Sequence, residues 1–278
     1  MRGNDIKKIV KEGYAKVAKQ HSSCCNHTSL CSSVNSAKNI SKNIGYTDKE
    51  LKAVPDGANL GLGCGNPVAF ASLKKGDIVL DLGSGAGFDC FLAADRIGGT
   101  GKVIGIDMTP EMIEKARGNA KKGKYKNVEF RLGEIENLPV ADNSVDIIIS
   151  NCVINLSPDK RRVFREAFRV LTPGGRLMVS DLVLRKELPD IIKNSIEAYI
   201  GCLSGAIMKD EYIGYIKMAG FYKIKIIDEK YFPVENMAND LTAKAVVNNL
   251  KMRPKKIKEV TNLVLSITIC GIKPSKKT

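Results

Sequence analysis

The sequence predicts a doubly wound α/β fold: seven strands in a mainly parallel sheet, with helices on both faces. Three observations carry that expectation. Short β-branched runs alternate with longer stretches of helical periodicity, the order that builds a parallel sheet. One run, Val145 to Ser150, is apolar on both faces, as a central parallel strand has to be. A glycine-rich turn, Asp81 to Gly87, joins the first strand to its helix. With 278 residues, 44% of them hydrophobic and 27% charged, the chain can bury one large core.

The elements follow in order. Ile6, Ile9, Val10, Tyr14 and Val17 recur at helical spacing, so residues 5–19 form an amphipathic helix. Residues 20–45, rich in Ser, Asn, His and Cys, show no period and read as a loop or flap; residues 55–67 are turn-forming. The core opens with a strand at Ile78 to Leu82 and a helix over 86–97, then a second strand, Val103 to Asp107. Thr109-Pro110-Glu111 starts a helix, with a cap, a proline at the first position and an acid in the first turn. Strands at Val128 to Leu132 and Val145 to Ser150 come next, then a helix from Ser157-Pro158-Asp159, and a tight turn at Leu171 to Gly175 into strand five, Arg176 to Ser180. A helix to Tyr199, another over 210–219, a strand near 223–228, a helical stretch over 236–250 and a last strand over 263–272 complete the chain. The expected division is an N-terminal helix and Cys-rich flap (1–70), a core (71–235) and a C-terminal helix and strand that complete the sheet (236–278).

Composition narrows the function. No apolar run approaches the ~20 residues that span a bilayer, and the start lacks a secretory pattern, so a cytoplasmic protein without a membrane partner is expected. The formal charge of +14 favours polyanions, but the lysines are spread, aromatics make up 6%, and no nucleic-acid motif is present. Nucleic acid is therefore not an expected partner. Eight cysteines in such a compartment point to reduced thiols rather than a disulfide scaffold. The two histidines, His21 and His27, both fall in the flap, which excludes histidine catalysis in the core.

A glycine turn at a helix N-terminus lets a ligand approach the backbone, and the acid ending the second strand, Asp107, can accept from both ribose hydroxyls. A dinucleotide site is the immediate competitor. The G-x-G-x-G spacing and the acid before the glycines weigh against it, and no Gly-Lys-Ser/Thr is present for a triphosphate. Taken in sequence, Asp81 to Gly87, Asp107, Gly133-Glu134-Ile135 and Leu171 to Gly175 resemble the motifs of class I S-adenosylmethionine methyltransferases, a Rossmann-like fold. The resemblance covers roughly residues 70–230. It implies that Asp81, Gly83, Ser84, Gly85 and Gly87 hold the methionine moiety, that Asp107 takes the ribose, that Met108 packs on adenine, and that Glu134 and Ile135 lie at its edge. Asn151 and Asn155 line the cofactor pocket or cap the strand end.

The cysteines set this chain apart. Cys64 lies in Gly61-Leu62-Gly63-Cys64-Gly65-Asn66-Pro67, Cys152 in Ser150-Asn151-Cys152-Val153-Ile154-Asn155-Leu156, at the carboxyl end of strand four, and Cys202 in Gly201-Cys202-Leu203-Ser204-Gly205-Ala206. The end of a central strand is where open α/β sheets bind ligands. These three segments resemble arsenite methyltransferases, from about residue 8 to at least 235. The resemblance implies As(III), free or as a thiol conjugate, as methyl acceptor on Cys64, Cys152 and Cys202, in the service of arsenic detoxification. Soft As(III) suits thiolates, and a nearby cationic sulfonium would favour the deprotonated form. Cys90 and Cys270 read as small buried hydrophobes.

His21, Cys24, Cys25, His27 and Cys31 cluster in the flap without the paired spacing of a zinc site. In the family it resembles, a further N-terminal cysteine is thought to pair with the counterpart of Cys64, and a thioredoxin- or glutathione-type reductant resets the enzyme. Cys25 and Cys31 are the leading candidates, and the sequence does not separate them. Two rivals share parts of this pattern: methylation of an organic small molecule such as a quinone or sterol, which uses the same cofactor motifs, and a thiol protein that binds metalloids without catalysis.

Overall fold

The structure, a computed structural model, describes residues 3–20, 30–232 and 259–275. Seven strands form one sheet: β1 (Ile78–Leu82), β2 (Lys102–Asp107), β3 (Val128–Leu132), β4 (Val145–Asn151), β5 (Leu171–Leu184), β6 (Tyr222–Tyr231) and β7 (Val264–Ile272). Their spatial order is β3-β2-β1-β4-β5-β7-β6. The pairings from β3 to β5 are parallel, and β7 runs antiparallel between β5 and β6. The order reverses between β1 and β4, which opens a crevice at the carboxyl ends of those strands.

Alternation along the central strands supplies both faces of the core. Leu80, Leu82 and Ile148 pack with Phe164, Tyr212 and Ile216 on α7 (Lys160–Val170) and α10 (Lys209–Met218). Val79, Ile147 and Ile149 pack with Phe91, Ile97, Ile113 and Ala116 on α5 (Phe88–Ile97) and α6 (Pro110–Lys122). Each fully buried side chain of this size contributes about 1.5–3 kcal/mol.

The expected strands and most helices stand where periodicity put them, with four differences. Residues 30–43 form a helix, α2 (Leu30–Asn43), where a loop is expected. Ala37, Ile40 and Ile44 are buried at helical spacing, a stripe too small and too diluted by Ser and Asn to register as a period. β5 runs beyond the expected Arg176–Ser180 because β7 pairs with it from Arg176 to Leu184. The single helix expected before Gly201 is two, α8 (Asp190–Lys193) and α9 (Ile196–Ile200), divided where the Ser195 hydroxyl accepts from the Ala198 amide and caps the second. Thr109 stands at the start of α6, yet its hydroxyl makes no capping bond and engages Asp107 instead. The helical stretch expected over 236–250 lies outside the described residues.

Two further helices, α3 (Asp48–Ala53) and α4 (Pro67–Phe70), lead into the core. α1 (Gly3–Gln20) crosses the mouth of the crevice. Val17 and Ala18 seat it on Met112 of α6, while Lys7 reaches Glu134 at 2.7 Å and Glu136 at 3.3 Å. Among the described residues, no helix is long and apolar enough to cross a membrane.

Candidate active site

At the crevice lies a cleft of about 1080 Å³, counting its open mouth. Its floor is the turn after β1. Gly83 takes φ 70, which costs a residue with a side chain about 1–2 kcal/mol, and a Cβ there would run into Val153. Nothing lies within 4 Å of where a Cβ of Gly85 would sit, so the backbone is open to a ligand. The Ser84 hydroxyl is buried without a protein partner. Asp107 is held from both sides, accepting from the Gly85 amide at 3.0 Å and the Thr109 amide at 2.9 Å. Burial pushes its carboxyl up and these amides pull it back. Asp81 is buried and raised well above the usual carboxylate range, first by burial and then by the neighbouring Asp89. Two close acids in an apolar wall favour a cationic ligand.

Asp81, Gly83, Ser84, Gly85, Asp107, Met108, Ile135 and Asn151 all line this cleft, and so does Tyr14 from α1. Gly87 sits behind the wall at the start of α5, against Phe91 and Phe130. Glu134 turns outward to Lys7, and Glu136 takes its place on the wall.

The thiols meet at the other end. Cys64, Cys152 and Cys202 are all buried and belong to one apolar cluster with Val10 and Leu156. Cys152 lies on the cleft wall. Its sulfur and that of Cys64 lie within 4.8 Å of each other, and the Cys202 Sγ donates to the Cys152 carbonyl at 2.8 Å. Cys152 and Cys202 adopt φ 58 and 62, a left-handed backbone rare outside glycine and concentrated at functional sites. The Tyr14 hydroxyl lies 4.0 Å from the Cys202 sulfur and donates to the Ile200 carbonyl at 3.2 Å. One helix thus touches both the cofactor wall and the thiols.

The surroundings of the sulfurs set their protonation in the chain by itself. The chain's own groups hold the three thiols in the neutral form. Burial raises Cys64. Cys202 is raised well above its ordinary value by its hydrogen bond to Cys152, then by burial. For Cys152 the bond with Cys202 works downward, but the Cys64 thiol and burial outweigh it. The thiolate expected from proximity to a sulfonium is opposed by the low-dielectric wall around the sulfurs.

Sequence reasoning missed a polar layer beneath the sulfurs. A carboxylate oxygen of Asp181 and the Cys64 and Cys152 sulfurs lie within 4.8 Å of one another. Asp181 is fully buried, accepting from the Tyr212 hydroxyl at 3.0 Å, the Asn155 amide at 2.9 Å and the Leu182 amide at 2.9 Å. Burial pushes it up to about 7. Lys160, also buried, donates to the Asn155 and Ser157 carbonyls, and burial lowers it. An acid directly after the buried run of β5 was a usable signal; Lys160, at the start of a strongly polar helix, offered none. Cys25 lies outside the described residues, and of Cys31 only the backbone, in the first turn of α2, is described.

Comparison with known proteins agrees with this geometry. Residues 73–220 match the model of a methyltransferase domain family. The chain is 48% identical to an arsenite methyltransferase of Halobacterium salinarum, over 80% of this chain and 59% of that protein. It is 34% identical to the arsenite methyltransferase of Homo sapiens, over 85% of this chain and 63% of the human one. Among solved structures, an arsenic (III) S-adenosylmethionine methyltransferase from Chlamydomonas reinhardtii superposes with a TM-score of 0.63 at 30% identity, covering 87% of this chain and 75% of that one. The chain spans 59%, 52% and 44% of the length of three curated arsenite methyltransferases that it resembles.

Proposed function

This chain belongs to the arsenite methyltransferase family, and we propose that it transfers the methyl group of S-adenosylmethionine to As(III) bound by Cys64, Cys152 and Cys202. The observation that carries the reading is that three thiols, from three distant stretches of chain, share one buried cluster beside a cleft lined by Asp81, Ser84, Gly85 and Asp107.

The residues present fit the cofactor. The unpartnered Ser84 hydroxyl, the open backbone at Gly85 and the acids Asp81 and Asp89 suit the methionine end with its ammonium group. Asp107 would accept from the ribose hydroxyls, with Met108 and Ile135 against the adenine and Glu134, tied to Lys7, beyond its edge. When bound, S-adenosylmethionine supplies an electrophilic methyl group on a cationic sulfur.

The thiols bind and orient the substrate. As(III) is soft and prefers sulfur to oxygen donors. Neutral thiols are competent to load it: each As–O bond of arsenite is exchanged for an As–S bond, and the thiol proton leaves with the displaced hydroxide as water. Three sulfurs give a pyramidal arsenic whose lone pair faces the cleft. Because that lone pair is the nucleophile, no side chain has to remove a proton from the acceptor atom. Orientation of this kind is worth about 7–11 kcal/mol over free encounter. Methylation of the lone pair takes arsenic formally to As(V). Two electrons return it to As(III) as Cys64 forms a disulfide with Cys25 or Cys31. A thioredoxin- or glutathione-type reductant then reduces that disulfide to thiols, in keeping with a cytoplasmic, reducing setting and a role in arsenic detoxification.

The test is mass spectrometry of the products formed from arsenite, S-adenosylmethionine, glutathione and thioredoxin. Methylated arsenicals are expected from the native chain. With Cys152→Ser or Cys202→Ser the rate should fall on the order of 100-fold or more, the scale of a misplaced reactant, with S-adenosylmethionine affinity nearly unchanged. A native chain that yields no methylated arsenic overturns the reading.

A further inference from the structure

Asn151 lines the cofactor cleft, yet its side chain has no hydrogen bond left for a ligand. Its Oδ1 accepts from the Cys64 amide at 3.0 Å and the Gly65 amide at 3.3 Å. Its Nδ2 donates to the Gly65 carbonyl at 2.8 Å, the Tyr46 hydroxyl at 2.9 Å and Asp89 Oδ2 at 3.1 Å. An asparagine amide has two donor hydrogens and two acceptor lone pairs, and the protein uses them all. Its orientation is fixed as well, because a flip would turn the oxygen towards a carbonyl and a carboxylate and the NH₂ towards two amides.

We propose that Asn151 is a positioning residue that seats the Cys64 thiol for arsenic capture. Resting on the arsenite reading above, the proposal assigns Asn151 to the substrate side of the site rather than to the cofactor. Cys64 lies in a loop without strand or helix pairing of its own, between Leu62 and Asn66. Its amide is held by Asn151 from the end of β4, and its carbonyl by the Ser266 hydroxyl of β7 at 2.7 Å. Asn151 is itself braced: the Tyr46 hydroxyl donates to Asp89 Oδ1 at 2.6 Å, closing a triangle with the asparagine amide. The loop is shaped to the contact. A Cβ at Gly63 would come within 2.7 Å of Asn151 Nδ2. Asn151 also directly precedes Cys152, so one strand end places its own thiol by backbone and a distant one by side chain.

The test is arsenic K-edge X-ray absorption on the arsenite-loaded protein, read as the number of sulfurs around arsenic, beside calorimetry with S-adenosylmethionine. The native chain should give three sulfurs. Asn151→Ala should give two, with methylation kcat down roughly tenfold or more and S-adenosylmethionine affinity changed less than about threefold. Gly63→Ala presses on the same contact from the loop and should also give two sulfurs; it carries the test if Asn151→Ala does not fold. Three sulfurs in a folded variant, or a loss confined to S-adenosylmethionine affinity, overturns the proposal. Fewer than three in the native chain would instead refute the thiol site itself.

Discussion

The floor of the cleft is one short stretch of chain, Asp81 to Gly85, with the Asp107 carboxylate bonded to its Gly85 amide. The thiol half is made by three stretches that meet only after folding, two of them with left-handed cysteines at the contact. That turn is spelled out in one run of sequence, although Gly83 also has to leave room for the distant Val153. The thiol site depends instead on long-range partners, with Asn151 on β4 and Ser266 on β7 holding Cys64, and Tyr14 on α1 beside Cys202. In the proposed reading the first half holds a nucleoside and the second decides what is methylated.

If the halves are separable, each can be damaged alone. The largest effect is expected from Asp107→Ala, which removes the group proposed to take the ribose while the thiols keep their wall. Losing two hydrogen bonds to a charged group, at about 1.5–3 kcal/mol each, should weaken S-adenosylmethionine on the order of 100- to 10,000-fold by calorimetry and leave arsenite binding intact. Arsenite binding lost in step with the cofactor would mean that the two halves are one unit.

A smaller effect concerns the polar layer under the sulfurs. Asp181, pushed up to about 7 by burial, has a folded-state value above its unfolded one. Its contribution to stability is therefore full at acid pH, below the ordinary carboxylate value of about 4, and is lost as pH rises through about 7. The Tm of the native chain should fall between pH 5 and pH 8 by several degrees more than that of Asp181→Asn, given about 2–4 °C per kcal/mol at this size. Parallel pH profiles for the two proteins would show that the acid does not carry a buried charge.

The same contrast governs what could be read from the sequence. The sheet, its seven strands and the glycine turn were legible because each rests on a local pattern, period two in a strand or glycine in a turn. The three thiols were legible as residues, through their flanking segments, but not in their protonation, which burial and their contacts with one another set. Asn151 was readable only as a polar residue at a strand end, since its partners at Tyr46, Gly65 and Asp89 are brought to it by tertiary packing. α2 was missed for a related reason: its buried stripe of Ala37, Ile40 and Ile44 acquires meaning only against the core it covers. Lys160, an ordinary lysine in sequence, becomes a buried amine only when β5 and the turn after β4 close around it.

The most direct measurement is anomalous diffraction at the arsenic edge from crystals of the native chain soaked with arsenite and S-adenosylhomocysteine. One arsenic atom within bonding distance of the sulfurs of Cys64, Cys152 and Cys202, with its open side towards the cleft, is the predicted result. Arsenic bound elsewhere, or by only one of the three sulfurs, would contradict the account.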